Sequence, residues 1–234
     1  MKIFDSHCHI ETGLEKYNIS VSGKNIIFNS IDSYNKFHFE LKPEDSLTLI
    51  FDFRENMDLV RRLVDEKKID ALKIHSRIQK IRKEDYPELL ETLNSLKPDI
   101  PFVVDAFYHG TDPEIQPSLE FIIELAKKYS SLPVVVAHSG GIHVSEYFRR
   151  LKSIRNIYFD LSFSLSYLRQ SPVYADFKKL VSEGDENKII FGTDYPFIDP
   201  VQQLNLLVEI FDESGINKSA REKILYSNAR NIFK

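Results

Sequence analysis

One cysteine, Cys8, stands among 234 residues, so an internal disulfide is excluded and the composition suits a reducing compartment. No apolar run approaches the ~20 residues of a membrane helix. The opening Met1-Lys2-Ile3-Phe4-Asp5 also lacks the apolar stretch of a secretory signal. These absences predict a cytoplasmic protein with no membrane partner. Positive charge is not in excess: Lys and Arg number 31 against 35 Asp and Glu, a formal net charge of -4. The cations are scattered among acids, which argues against nucleic acid as a partner. No glycine-rich dinucleotide fingerprint follows the first apolar run, and neither internal repeats nor low-complexity stretches occur.

What is present is a chain with 42% hydrophobic and 28% charged residues, too apolar for disorder and able to bury a core. Eight short apolar or β-branched runs occupy residues 3–9, 25–30, 46–53, 69–77, 100–109, 132–140, 156–162 and 188–196. Helical periodicity follows most of them. Leu59, Val60, Leu63 and Val64 share one face, as do Leu119, Ile122, Ile123 and Ala126. Pro87, Pro117, Pro172 and Pro200 stand near helix starts, with Ser171 and Asp199 as N-caps before two of them. Near-continuous runs such as Val134-Val135-Val136 suit a parallel sheet covered on both faces. The fold class predicted is α/β, a single (β/α)8 TIM barrel over residues 1–234, close to the ~250 residues usual for that architecture. Residues 11–24 and 31–45 have poor periodicity, so the first helices are expected to be short or irregular.

The chemistry-bearing residues fall at the predicted strand ends, where barrel enzymes place catalytic groups. His7 and His9 flank Cys8 at the end of the first run, and period-two geometry puts both imidazoles on one face with Cys8 on the other. Asp194 ends the eighth run, which neighbours the first in a closed barrel. On alternation His138 shares a side with Val134 and Val136, and it precedes Ser139-Gly140-Gly141, a loop open to close ligand approach. Lys73 and His75 end the fourth run with matching parity, followed by Arg77; Asp105, Phe107 and His109 do so in the fifth. Each has a bland reading: histidines as polar filler or satisfied core residues, Asp194 as a turn cap, Lys73 as a salt-bridged cation. Phe107, Tyr108, Phe163, Tyr167 and Tyr195 lie just beyond strand ends and are candidates to line a pocket.

Six segments in order, Asp5-Ser6-His7-Cys8-His9, Ala71-Leu72-Lys73-Ile74-His75, Val136-Ala137-His138-Ser139-Gly140-Gly141, residues 156–162, Phe191-Gly192-Thr193-Asp194-Tyr195-Pro196 and residues 222–230, resemble the amidohydrolase superfamily. The resemblance is to its amidohydrolase-2 type of metal-dependent TIM-barrel hydrolases. It implies a divalent metal ion, zinc first and manganese second, held by His7, His9, a strand-five residue and Asp194, with His138 acting on the substrate. Where the family tends to carry a strand-five histidine this chain has Asp105, leaving either Asp105 or His109 for that ligand position. With two carboxylates and two histidines, a divalent ion would be neutralised and its Lewis acidity reduced.

The expected function is a metal-dependent hydrolase of a small polar amide, lactone or ester. Asp194 is the general base and His138 helps polarise the attacked carbonyl; Lys73, His75 and Arg77 form the substrate-binding set. Lys73 in carbamylated form could instead bridge two ions. Non-oxidative decarboxylation on the same ligands is the second enzyme reading, and a metal-free barrel that binds a small ligand is the third. A homodimer would be ordinary for such a barrel, although no segment marks an interface.

Overall fold

In the computed structural model, which describes residues 2–9, 17–38, 41–54, 57–108, 115 and 119–234, the apolar runs become eight parallel strands in chain order. They are β1 (Asp5–His9), β2 (Lys24–Phe28), β3 (Ser46–Ile50), β4 (Ala71–Ile74), β5 (Phe102–Asp105), β6 (Val134–Ala137), β7 (Ile157–Asp160) and β8 (Ile189–Ile190). The sheet closes on itself beyond β8. Ser6 N–H donates to Phe191 O at 3.0 Å, Asp194 N–H to His7 O at 2.8 Å and His9 N–H to Tyr195 O at 2.8 Å. The fold is a single (β/α)8 TIM barrel, and its closure sets Asp194 beside His7 and His9.

Between the strands lie α1 (Ile31–Phe37), α2 (Met57–Asp65), α3 (Ser76–Gln79), α4 (Tyr86–Leu96), α5 (Leu119–Lys128), α6 (Val144–Leu151), α7 (Ser164–Tyr167), α8 (Tyr174–Glu183) and α9 (Pro200–Glu213). The first helices are short, as the weak periodicity predicts: α1 has seven residues, and none lies between β1 and β2 among the described residues. Pro87 and Pro200 sit in the first turns of α4 and α9, and Asp199 caps α9 by accepting from Gln202 N–H. Ser171 does not cap; its hydroxyl donates to Leu168 O. Pro117 and His109 lie outside the described residues. No helix of the described residues is long and apolar enough to cross a membrane.

Two apolar layers result from strand alternation. Leu72, Ile74, Phe102, Val104, Val134, Val136, Phe159 and Phe191 face the helices with Cys8. Ala71, Val103, Val135, Ala137 and Ile190 face inward and meet Phe4. Phe4 and the histidines of β1 both belong to the inside although they differ in parity. The reason is an extra residue in β1: its pairing with β2 passes from Asp5↔Lys24 to Cys8↔Ile26, three steps against two. Such a bulge re-aims the side chains that follow.

The N-terminal end of the barrel is plugged by the chain's own end. After α10 (Lys218–Glu222) and a π-helical turn (Lys223–Ser227), α11 (Asn228–Phe233) brings Ala229, Ile232 and Phe233 onto the inner layer. Phe233 stacks on Phe4 with ring centroids 6.4 Å apart, and its carbonyl accepts from Ser46 Oγ at 3.0 Å. The floor is therefore apolar and the opposite mouth polar. Phe233→Ala should lower the unfolding free energy by about 3–5 kcal/mol, the usual range for a buried phenylalanine. Urea titration followed by circular dichroism checks this, and an unchanged midpoint would mean that the plug does not support the barrel.

Candidate functional site

At the C-terminal mouth, the cavity of about 300 Å³ is lined by His9, Asn29, Lys73, His75, Arg77, Ile78, Asp105, Phe107, His138, Phe163, Asp194 and Phe197. Its titratable groups, save Arg77, are buried. A wider cleft of about 670 Å³ between Lys2 and Glu222 is bounded by residues of which none is buried, and no cluster of buried donors converges there.

The bulge of β1 presents His7 and His9 to this mouth with ring centroids 5.5 Å apart. Asp194 Oδ1 lies 3.3 Å from His7 Nε2 and 3.4 Å from His9 Nε2. The three form a buried group able to hold a metal ion, and Asp105 is not part of it. The His9 Nδ1 has no hydrogen-bond partner among the described residues. Asp194 has φ 61°, a left-handed backbone uncommon for a side chain, and strain of that kind collects at functional sites. Burial disfavours its charge, but His7, His9 and His138 outweigh that and hold the carboxyl below its usual range. Burial, then the charge of Lys73, keeps His7 neutral by lowering it well below 6.5.

Behind His7 stands a polar hub that sequence reasoning passed over. His7 Nδ1 is 2.8 Å from Asp160 Oδ2 and 3.1 Å from Ser162 Oγ. The Ser162 hydroxyl donates to Asp160 Oδ2 at 2.5 Å and lies 3.1 Å from His138 Nδ1. Asp160 Oδ1 also accepts from Ser6 Oγ and Ser162 N–H. His7, His138 and Asp160 come close enough together to suggest a second ion site, but the Ser162 hydroxyl already fills the space between them. Burial raises the Asp160 carboxyl, opposed by His138 and by the bonds from Ser162 and Ser6. The signal available in sequence was the Asp160-Leu161-Ser162 triplet at the end of β7.

Asp5 is the second buried acid missed. Its oxygens accept from Thr193 N–H at 2.9 Å, Thr193 Oγ1 at 2.6 Å, His7 N–H at 3.1 Å and Tyr17 OH at 2.8 Å. Burial lifts its carboxyl to about 6 against those four bonds, and the bonds clamp β1 to the segment carrying Asp194.

Asp105 stands between two other histidines. Its Oδ2 is 3.3 Å from His75 Nε2 and 3.3 Å from His138 Nε2. Burial opposes its charge, and His75, His138 and Lys73 hold the carboxyl well below its ordinary value. His138 is shifted upward by Asp105 in spite of burial.

His138 reaches this position by a route that alternation does not give. Val135 and Ala137 face the barrel interior, so the parity reading that grouped His138 with Val134 and Val136 puts it against the helices. Positive φ at His138 (60°) and Ser139 (51°) turns the chain and swings the imidazole into the mouth. Gly140 then takes φ 88°, and a Cβ there would lie 2.5 Å from the Tyr147 ring, so glycine serves both the turn and the packing.

Lys73 is fully buried and donates from Nζ to His7 Nε2 at 2.9 Å. Burial lowers its pKa, countered by Asp105, Asp194 and Asp160. Arg77 lies at the exposed rim of the same cavity. Of the aromatics picked from sequence, Phe107 and Phe163 line the cavity and pack edge to face at 4.9 Å, while Tyr167 stacks outside them on Phe163 at 4.8 Å. Tyr108 instead meets His143, and Tyr195 meets Tyr17.

Burial pushes the His75 imidazole from its ordinary 6.5 down to about 3, despite Asp105. Between those values the unfolded chain takes up a proton that the folded chain refuses. The stability from this group is therefore fully present above pH 6.5 and is lost as pH falls toward about 3. His75→Gln should flatten the decline in unfolding free energy across that window, measured by urea titration at a series of pH values. An unaltered slope would show that His75 is not held neutral by the fold.

The sequence pattern that defines the amidohydrolase family matches residues 52–234. No curated protein matches the chain. Among solved structures it is similar to an uncharacterized TIM-barrel protein from Bordetella bronchiseptica, at 16% identity and a TM-score of 0.67, over 94% of this chain and 79% of that one. It is also similar to a probable 2-pyrone-4,6-dicarboxylic acid hydrolase from Acinetobacter baumannii, at 15% identity and a TM-score of 0.60, over 100% and 99% of the two chains. A third likeness is to the inactive dihydroorotase-like domain of a CAD-like multifunctional protein from Chaetomium thermophilum, at 13% identity and a TM-score of 0.69, over 99% and 78%. These likenesses carry the barrel fold, and the family match, spanning most of the chain, carries the membership: the protein is an enzyme of the amidohydrolase family.

Proposed function

We propose that this enzyme is a hydrolase dependent on one divalent metal ion, acting on an amide, lactone or ester of a small anionic molecule. The observation that carries the reading is the convergence of His7 Nε2, His9 Nε2 and Asp194 Oδ1 at the edge of the cavity, with Asp194 at 3.3 and 3.4 Å from the two nitrogens. Ligand bonds of about 2.0–2.1 Å in a tetrahedral arrangement set ligand-to-ligand edges of roughly 3.3 Å, which the two edges from Asp194 match. Two nitrogens and one oxygen favour zinc, with manganese second. Asp160 supports the fit by taking the Nδ1 side of His7, the outer hydrogen bond that orients a ligating imidazole. When bound, the ion supplies Lewis acidity toward an oxygen of the substrate or of water.

The side chains supply the rest. Asp194, held ionised, takes a proton from the attacking water through its second oxygen and returns it to the leaving group. His138, held through Nδ1 by Ser162, lines the cavity, and its Nε2–H, 3.3 Å from Asp105 Oδ2 in the free site, is the donor that turns to the substrate's carbonyl oxygen. Arg77 and Lys73 bind a substrate carboxylate or phosphate, and His75 supports that side of the cavity from its place beside Asp105. Phe107, Phe163 and Phe197 give the remaining wall an apolar character. With Asp105 occupied by two histidines, an ion held by His7, His9 and Asp194 would have one carboxylate ligand and would keep more of its acidity than a two-carboxylate site would allow.

One observation favours a metal-free site instead: Lys73 already engages the lone pair of His7 Nε2. Elemental analysis of protein purified without added metal or chelator decides between the two. About one zinc or manganese per chain, lost in His7→Ala, is expected; no ion even after supplementation would overturn the metal reading. Asp194→Asn should lower kcat by about 10²–10⁴-fold on any substrate found. Full activity in that variant would remove Asp194 from the chemistry, and release of carbon dioxide in place of a hydrolysis product would reassign the reaction to decarboxylation.

A further inference from the structure

Lys73 and a metal ion need the same atom. Asp160 and Ser162 lie on the Nδ1 side of His7, which leaves Nε2 as the lone pair facing Lys73 and Asp194, two residues that line the cavity. That lone pair accepts from Lys73 Nζ at 2.9 Å, while Asp194 Oδ1 lies 3.3 Å away and the His9 ring stands beside it. A nitrogen bonded to Lys73 cannot at the same time donate its pair to an ion.

From this contact we propose that Lys73 is a latch on the metal site: its amine closes the His7 position, and an ion enters by displacing it. The inference rests on the metal reading of the same site. It differs from a role for Lys73 as a bridge between two ions, because the grouping of donors offers one open ion position. Asp105 lies outside it, between His75 and His138, and the only other grouping among the described residues is filled by the Ser162 hydroxyl. Lys73 also lines the cavity, so the displaced amine has somewhere to go: it turns from His7 toward the space where a substrate anion sits. The latch therefore couples the two ligands. An anion that draws Lys73 away frees His7 for the ion, and by linkage the ion strengthens the anion's hold.

A ligand or bridge and a latch predict opposite signs. Lys73→Met removes the amine and keeps the length and apolar stem of the side chain in its buried place. Under the proposal, Zn²⁺ or Mn²⁺ titrated calorimetrically into chelator-stripped protein binds the variant about tenfold or more tightly than the wild type, the equivalent of one hydrogen bond to a charged group. Equal or weaker binding by a variant with wild-type circular dichroism overturns the latch and leaves the metal reading standing. Absence of ion binding in both proteins overturns the metal reading together with the inference. The wild type gives an independent check that no misfolded variant can obscure. In a crystal structure with the ion bound, Lys73 Nζ should have left His7 Nε2 for the cavity; an ion on His7 Nε2 with Lys73 still at its present distance overturns the latch.

Discussion

His7 is held from both ring nitrogens, by Asp160 and Ser162 on one side and by Lys73 on the other, with Asp194 Oδ1 3.3 Å from the nitrogen that Lys73 engages. The remaining site is measured from this ring: His9 lies 5.5 Å and His138 4.9 Å from it, centroid to centroid. A buried imidazole with both nitrogens engaged has no cheap alternative rotamer, since any turn would leave polar atoms without partners. The network draws on the ends of β1, β4, β7 and the segment after β8, so the barrel must be closed before the ring can be fixed. Clamping of Asp5 by Thr193 and Tyr17 serves the same end from below.

The two ends of the barrel divide the work. An apolar floor, made by Phe4, the inward residues of the central strands and the returning α11, needs no partner and supplies stability. The mouth gathers buried acids, histidines and a lysine whose burial costs free energy unless each is paired. Of the seven left-handed non-glycine residues among those described, His138, Ser139, Phe163 and Asp194 lie at that mouth, and the bulge in β1 leads into it. They redirect side chains that regular strands would point elsewhere, and the apolar floor offsets the strain.

This division explains what could be read from the chain. The barrel was legible because a parallel sheet covered on both faces writes its strands as apolar runs, and each of the eight runs overlaps a strand, β2 beginning one residue early at Lys24. The nearness of Asp194 to His7 and His9 followed from closure, which makes first and last strands neighbours. His138 was named for its loop, but the alternation used to orient it fails because positive φ reverses the direction of the side chain. Alternation carries no information about a residue beyond the last ladder pair. Asp160 and Ser162 were invisible as a hub for a different reason: their partner His7 lies more than 150 residues away, and only the closed barrel joins them.

The acid in strand five ties the remaining features together. A neutral histidine at that position would add no charge to the mouth, whereas Asp105 brings one into a place from which water is largely excluded. The charge persists because His75 from the end of β4 and His138 from the end of β6 each approach one oxygen of it to 3.3 Å, with Lys73 near enough to contribute. The neighbours on both sides are therefore committed by the acid between them. If His75 left Asp105 for an ion, the buried carboxylate would lose one of its two imidazole partners, and His138 is positioned by the same oxygen. A strand-five histidine would loosen these constraints together, freeing His75 and His138 while removing one of the three carboxylates that favour a charged Lys73. The acid thus makes strands four to six a self-compensating polar layer, separate from the His7, His9 and Asp194 group that could hold an ion.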